Sequence, residues 1–338
     1  MTTIECMKRL LVSTSLLLLG LVACRCSPNP DRSDPVRVPT AATAAVASAP
    51  APAVSAPVVD ATAPLKNDAC PAALADTRRD GARAGAFTAP TDAERGAIKR
   101  AVARLLAGDK NVDTAAFGFE TATIAEWPGT LLLRERDGQR RGGGAYVVRV
   151  GTASSLVVQA PHTFYDEGTF PLACAFFAQT GARMLAINTA HRYKAAPVVG
   201  DLHPADVAHA PNTLFQGVTE GAIEALKERI TLVQLHGFAN REVDAQAVVS
   251  SGDRRADAAL VARVAAKLEA ITQPRILRFP LDTKELGATT NIQGPLVRAA
   301  GGHFIHVEMS DDLRRELARD SDFRNRAFAA LFDALSPP

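Results

Sequence analysis

The chain is poor in aromatics and carries almost no net charge. Phe, Tyr and Trp make up 5% of 338 residues, and Trp127 is the single tryptophan. The formal net charge is +2, which gives no electrostatic case for nucleic acid as a partner. No Gly-x-Ser-x-Gly occurs, and Ser154, Ser155 and Ser250 lie in no context that suits a nucleophile, so a serine hydrolase ranks last among enzyme classes. The five cysteines include no Cys-x-x-Cys spacing, which excludes a zinc finger. The glycines Gly142, Gly143 and Gly144 are followed by neither Gly-Lys-Ser/Thr nor a helical pattern, so they form a hairpin loop and not a phosphate loop. After the first apolar run no second membrane segment follows.

What is present is a globular composition, 47% hydrophobic and 22% charged, with room for one large domain or two small ones. Lys8 and Arg9 precede an apolar run from Leu10 to Ala23, too short for a mature membrane span and suited to a signal peptide over residues 1–23. The run ends Leu21-Val22-Ala23-Cys24, which resembles a bacterial lipobox with Cys24 as the lipidated residue. The alternative is an ordinary secretory signal that contains a cysteine. Either way the protein is expected outside the cytoplasm, in the first case lipid-anchored in the cell envelope. Residues 24–66, rich in Ala, Pro, Ser, Thr and Val, form an extended tether. Of the cysteines left after export, Cys26, Cys70 and Cys174, the odd number allows one bridge and one free thiol, and Cys70 with Cys174 would pin the edge of the domain to its core.

The folded domain is expected over residues 67–338. Thr91 to Leu106 is a helix with Thr91 as N-cap and Glu94 completing a capping box. After two strands joined by a turn, strands and helices alternate from Ser155 onward. Strands are expected near 131–134, 145–150, 155–159, 184–188, 231–235, 247–250, 275–279 and 303–308, with helices near 170–179, 212–228, 256–271, 295–300, 313–317 and 323–335. Continuous apolar strands with interposed helices predict an α/β fold with a mostly parallel sheet covered on both faces, a three-layer α/β/α arrangement.

The chemistry concentrates at strand ends. His162 follows the strand that ends near Gln159, and Asp166 and Glu167 follow it in the same loop. Asn188 and Arg192 follow Met184 to Ile187; His236, before Gly237, follows Leu232 to Leu235; Glu308 ends the strand from His303. In a parallel sheet such ends share one edge, where ligands bind. Two histidines, a carboxylate and a water make an open catalytic zinc site, and a glutamate beside it is the usual general base. Taken singly, each residue also has a structural role open to it: His162 as a strand-end cap, Glu167 as a solvated loop acid, Asp166 as a turn residue, Arg192 in a surface ion pair.

Pro161-His162, Glu167, the segment Asn188 to Arg192, Leu235-His236-Gly237 and Val307-Glu308-Met309-Ser310 resemble the N-formylglutamate amidohydrolase and poly-γ-glutamate hydrolase group, related to the zinc carboxypeptidases. The resemblance spans roughly Gln159 to Leu317. It implies a phosphorylase/hydrolase-like fold, zinc (Zn2+) held by His162, Glu167 and His236, Glu308 as the catalytic glutamate, and Asn188 and Arg192 on a substrate carboxylate, with Arg192 also available to the oxyanion. It selects Glu167 over Asp166 as the ligand. Where the group has glycine or serine after its first histidine, this chain has Thr163-Phe164-Tyr165. Asp206, with His203 and His209 nearby, is the place to look for a carboxylate that orients a ligand histidine. The expected function is a zinc-dependent hydrolase of a peptide or amide bond in an extracytoplasmic peptide or poly-amino-acid substrate, with Glu308 activating a zinc-bound water. The alternative is a non-catalytic lipoprotein that binds a ligand on the same fold.

Overall fold

The computed structural model describes residues 68–84, 87–195, 198, 200, 202–239, 243–272 and 275–336. The signal segment, Cys24, Cys26 and the tether lie outside them. Among the described residues nine strands form one sheet: β1 (Phe119–Thr123), β2 (Thr130–Glu135), β3 (Ala145–Arg149), β4 (Leu156–Ala160), β5 (Met184–Ile187), β6 (Thr231–Phe238), β7 (Ala247–Ser250), β8 (Ile276–Arg278) and β9 (His303–Ser310), in the order β1-β2-β3-β5-β4-β6-β9-β7-β8. The centre, β5-β4-β6-β9, is parallel. The β1-β2-β3 meander joins it antiparallel on one side, and β7, itself parallel to β8, joins it antiparallel on the other. The α/β class is as the sequence predicts. Every residue of β3, β4, β5 and β7 is buried, which explains why they are mainly apolar on both sides: such strands are covered on both faces.

Helices supply both covers. α3 (Thr169–Gln179), α5 (Ala258–Thr272), α7 (Asp311–Arg319) and α8 (Ser321–Leu335) pack one face, where Phe176 meets Phe328 at a centroid distance of 5.1 Å. α2 (Asp92–Leu106), α4 (Leu214–Leu226) and α6 (Gln293–Ala299) cover the other. The capping box of α2 is formed as expected by Thr91 and Glu94. α2 and α4 approach closely because α4 carries glycines one turn apart. A Cβ on Gly217 would lie 2.8 Å from Ile98 Cγ2 and 2.9 Å from the Arg95 carbonyl, and one on Gly221 would strike the Lys99 carbonyl.

Two features fix α3, which leads out of the His162 loop. Cys174, in its middle, is disulfide-bonded to Cys70, just before α1 (Ala72–Ala84). At its far end the buried Arg149 donates to the carbonyls of Phe177, Thr180 and Ala182 at 3.0–3.1 Å. The carbonyls of Phe177 and Thr180 are ones that a helix end leaves without partners. The chain leaves β4 through α3 to reach β5 on one side, then leaves β5 through α4 on the opposite face to reach β6 on the other side of β4. That reversal of strand order opens a crevice at the carboxyl ends of β4 and β6, where α/β sheets place their ligands.

A candidate metal centre at the carboxyl edge of β4, β6 and β9

β4 ends at Ala160, and the chain turns at once. The amides of Tyr165 and Asp166 both return to the His162 carbonyl, at 2.9 and 2.8 Å. The second of these is an i→i+4 bond, a single helix-like turn. In such a turn residues four apart stand over one another, so Asp166, and not Glu167, comes to lie beside His162. Asp166 is held further by Thr169, whose amide and hydroxyl donate to its carbonyl. Glu167, one residue on, is rotated away and exposed, and its carbonyl accepts from Arg314 Nε at 2.6 Å. The carboxylate that the resemblance selects is therefore outside the cluster, and its neighbour is inside it.

His236 arrives from β6 and Glu308 from β9. Both strands run further than the apolar pattern suggests, to Phe238 and Ser310, because the parallel ladder continues through the His236↔Glu308 and Phe238↔Ser310 pairs. His236 and Glu308 thus stand side by side on one face, with Gln234 and His306 one pair back. Asp166 Oδ2 lies 3.4 Å from His162 Nδ1 and 3.1 Å from His236 Nδ1. The His162 and His236 rings meet edge to face at 4.7 Å, and both are buried. Among the described residues, three groups of possible cation ligands lie within 4.8 Å spans: His162, Asp166, His236; then His162, Asp206, His209; then His236, His306, Glu308.

The first group fits a metal best, on the structure's own terms. Ligand atoms about 2.0–2.1 Å from a tetrahedral zinc stand about 3.3 Å from one another, close to the two separations just given. The ring nitrogens turned away from the cluster already have acceptors. His162 Nε2 is 2.8 Å from Asp206 Oδ1, and His236 Nε2 is 3.3 Å from Gln234 Oε1. A ring that donates from Nε2 presents a bare lone pair at Nδ1, as a ligand must. His162 Nδ1 also faces opposite demands: Asp166 asks it for a proton, while Arg192 Nη1, 3.1 Å away, donates to it. A cation between Nδ1 and the carboxylate resolves the conflict.

The electrostatics agree. Burial opposes the charge on Asp166 and Asp206, but hydrogen bonds from His162 and from His236 or His209 outweigh it and hold both carboxyls well below the usual range. Burial disfavours the His162 imidazolium, yet its bonds to Asp166 and Asp206 outweigh that and raise its pKa, so the site favours positive charge at this ring. Burial drives His236 down to about 4, leaving it neutral. His306 is lowered well below its ordinary value, first by burial and then because a second positive charge beside His236 would be repelled.

The remaining expected residues divide. Arg192 reaches the cluster. It pairs with Asp206, touches His162, and stacks on Tyr193 and Tyr165 at 4.9 and 5.5 Å. Tyr165 and Tyr193 are 53% and 43% exposed and form an aromatic rim beside it. Asn188 is buried and spent on the backbone. Its amide donates to Pro161 and Ala205 and its Oδ1 accepts from the Ala190 amide, so it ties three loop segments together and has no donor left for a substrate. Asp206 does hold His162, and His209 Nδ1 joins it at 3.0 Å. The pattern gave no hint of His306 or of the buried amides Gln159, Gln234, Asn291 and Gln293. The available signal was a glutamine inside each of two apolar strands, since a polar group in a fully covered strand must find partners. A cavity of about 580 Å³ lies at the opposite, amino edge of β4, β6 and β9, lined by Ser154, Arg229 and His303 among others, and holds none of the convergent groups.

No family model matches the chain, and no curated protein matches it. Among solved structures it is similar to zinc-free YNDL (19% identity, TM-score 0.37, covering 57% of this chain and 89% of that one). It is similar also to a bacteriophage poly-gamma-glutamate hydrolase (17%, 0.36, 60% and 88%) and to N-formylglutamate amidohydrolase from Ralstonia eutropha JMP134 (14%, 0.39, 57% and 97%). The last two bear the names of the group that the motifs resemble. At these identities and TM-scores the likeness is distant, and chemistry follows from the site's own geometry.

Proposed function

We propose that the protein is a metal-dependent hydrolase of peptide or amide bonds acting outside the cytoplasm, with zinc as its metal. The observation that carries this is the convergence of His162 Nδ1, Asp166 Oδ2 and His236 Nδ1 beside Glu308. Two imidazoles and one carboxylate suit zinc and leave a coordination position open. When bound, the ion supplies a Lewis acid that acidifies water and polarises a carbonyl. Glu308, in register with His236 and partly open to solvent, takes the proton of the attacking water and delivers it to the leaving amine. Arg192 exchanges its contact with Asp206 for the developing oxyanion or for a substrate carboxylate. Asp206 and Gln234 keep the two imidazoles turned inward, and Asn188 holds the loops that carry His162 and Asp206.

The choice of an amide substrate, peptide or poly-amino acid, comes from the motif resemblance. Location outside the cytoplasm is supported by the Lys8 to Cys24 segment, with Cys24 as the lipid site, and by the Cys70–Cys174 bridge, which suits an oxidising compartment. The test combines metal analysis of the purified protein with Glu308→Gln. Stoichiometric zinc, and turnover of a glutamyl-peptide library that drops by about 10²–10⁴-fold in the variant with metal content unchanged, is the expected result. Protein that takes up no metal, or a variant as active as the parent, would sink the proposal. Tight ligand binding without turnover in the parent would favour the non-catalytic alternative.

A further inference from the structure

α1 lies across the two loops that carry His162, Asp166 and Arg192, and it touches both through one side. Arg78 and Gly81 stand three apart, so they share a face of the helix. At Arg78, Nη2 donates to the Thr163 carbonyl at 2.6 Å, and the guanidinium lies over the rings of Phe164 at 4.1 Å and Phe170 at 4.9 Å. At Gly81 the helix backbone rests on Thr189: a Cβ there would lie 2.7 Å from the Thr189 Cβ and 2.7 Å from its carbonyl oxygen. Thr163 directly follows His162, and Thr189 lies three residues before Arg192. The two loops are joined in turn by the Thr163 hydroxyl, which donates to the Asn188 carbonyl at 2.9 Å.

The turn that begins at His162 needs outside support. It is closed by the Asp166 amide on the His162 carbonyl, and a lone helical turn fixes several residues for one such bond. Its later carbonyls are served by side chains: Thr163 by Arg78 of α1, Asp166 by the Thr169 hydroxyl, Glu167 by Arg314 of α7. Thr163 is buried, so its carbonyl must find a donor inside the protein. An arginine suits this place because its planar guanidinium donates from the edge while its face covers a ring. One side chain thereby fixes both residues between His162 and Tyr165. α1 is itself a held platform, since the Cys70–Cys174 bridge and the Asp68–Arg324 ion pair at 2.6 Å fix the chain just before it.

We infer that Arg78 is a positioning residue for the metal centre: from α1 it pins the turn that sets Asp166 beside His162, while Gly81 seats the same helix against the loop of Arg192. The inference deepens the metal-site reading and rests on it for its consequence, but the brace itself is a property of the metal-free protein. It gives α1, which precedes every strand of the sheet, a part in the site at the sheet's carboxyl edge.

The test compares the parent with Arg78→Met, Arg78→Lys and Arg79→Met in the full chain. Arg79 is the control, an exposed arginine that pairs with Asp76 on its own helix. Hydrogen exchange of the metal-free proteins, read by mass spectrometry, follows the peptide 161–168, which holds the bonded amides of Tyr165 and Asp166. Competition with a chelator follows zinc affinity. In Arg78→Met, exchange in that peptide should quicken by about tenfold or more while β6 keeps the parent's rate. Zinc should bind about 10–100-fold more weakly, the usual cost of losing support behind a metal ligand. Arg78→Lys keeps a donor without the planar face and should fall between, at about threefold weaker than the parent. Arg79→Met should match the parent. An Arg78→Met protein whose 161–168 exchange and zinc affinity both stay within about twofold of the parent overturns the inference, and so does one in which exchange rises equally in β6, the mark of a general loss of stability. Quickened exchange in the turn with the parent's zinc affinity would make Arg78 a prop for the loop alone and also overturns it. If Arg78→Met does not fold, Arg78→Gln, whose side chain ends short of Thr163 but keeps a polar tip, is judged by the same criteria. A parent that binds no zinc would refute the hydrolase reading, and the exchange arm then decides the brace alone.

Discussion

Asp166 and Glu167 offer the sharpest experiment, because the motif resemblance and the geometry choose differently between them. The perturbations are Asp166→Ala and Glu167→Ala, each read as a change in zinc affinity. Structural zinc held by four ligands is worth about 10–16 kcal/mol in small domains, or roughly 2.5–4 kcal/mol per ligand. Loss of Asp166, buried and 3.1–3.4 Å from both ring nitrogens, should therefore weaken zinc by about 10²–10³-fold. Glu167 is exposed, and a surface carboxylate outside the cluster should matter by about twofold or less. The assay is competition with a chromogenic chelator at pH 7.5 and 0.15 M salt, with thermal melts of the metal-free proteins to show that both variants fold. A Glu167→Ala protein that loses more than about thirtyfold while Asp166→Ala keeps its zinc would refute the reasoning. It would mean that the helix-like turn from His162 rewinds on binding and that the spacing of the related enzymes prevails.

Three further outcomes are expected. Zinc affinity should fall as pH falls through the raised pKa of His162, by about tenfold per pH unit for one displaced proton, because the free protein holds a proton where the metal needs a lone pair; an affinity constant from pH 8 to pH 5 in the same titration would contradict this. Reduction of Cys70–Cys174, which closes a separation of 104 residues, should lower the unfolding free energy by up to about 4–5 kcal/mol, seen as an earlier urea midpoint, and coincident midpoints would show that the bridge adds nothing. Gly221→Ala should destabilise by about 1–3 kcal/mol, since its Cβ meets the Lys99 backbone and forces α2 from α4; an unchanged melting temperature would show that the two helices have room to give.

Much of this was open to inspection in the chain. Buried strands such as Val157-Val158 and Val248-Val249 announce themselves by unbroken apolar runs, and Thr91 with Glu94 marks a helix start by chemistry local to four residues. The pairing of Cys70 with Cys174 is the one that pins the edge of the domain to its core, as expected. What escaped is what depends on partners remote in sequence. β1 reads Phe-Glu-Thr-Ala-Thr, half exposed at the sheet edge, and it exists because β2 pairs with it. α1 has little apolar stripe in Ala-Ala-Leu-Ala-Asp-Thr-Arg-Arg, and the bridge at Cys70 brings it to the domain. The carboxyl ends of β6 and β9 carry His, Glu and Ser, which no hydropathy pattern extends as strand; each strand holds the other out to Phe238 and Ser310. In the site, spacing could not separate Asp166 from Glu167, because the choice turns on one i→i+4 hydrogen bond.

The bridge has a mechanical side as well. A pull on the chain anywhere upstream of Cys70 reaches Cys70 before it reaches α1, and crosses the sulfur atoms into the middle of α3. α3 lies against β4 and β5, so the load enters a helix held at its middle by the bridge and at its far end by Arg149. α1 is left slack, and the strands that carry His162, His236 and Glu308 are not drawn out of register. Tension that would peel a terminal helix from an unbridged domain is routed around the helix and away from the carboxyl edge of the sheet.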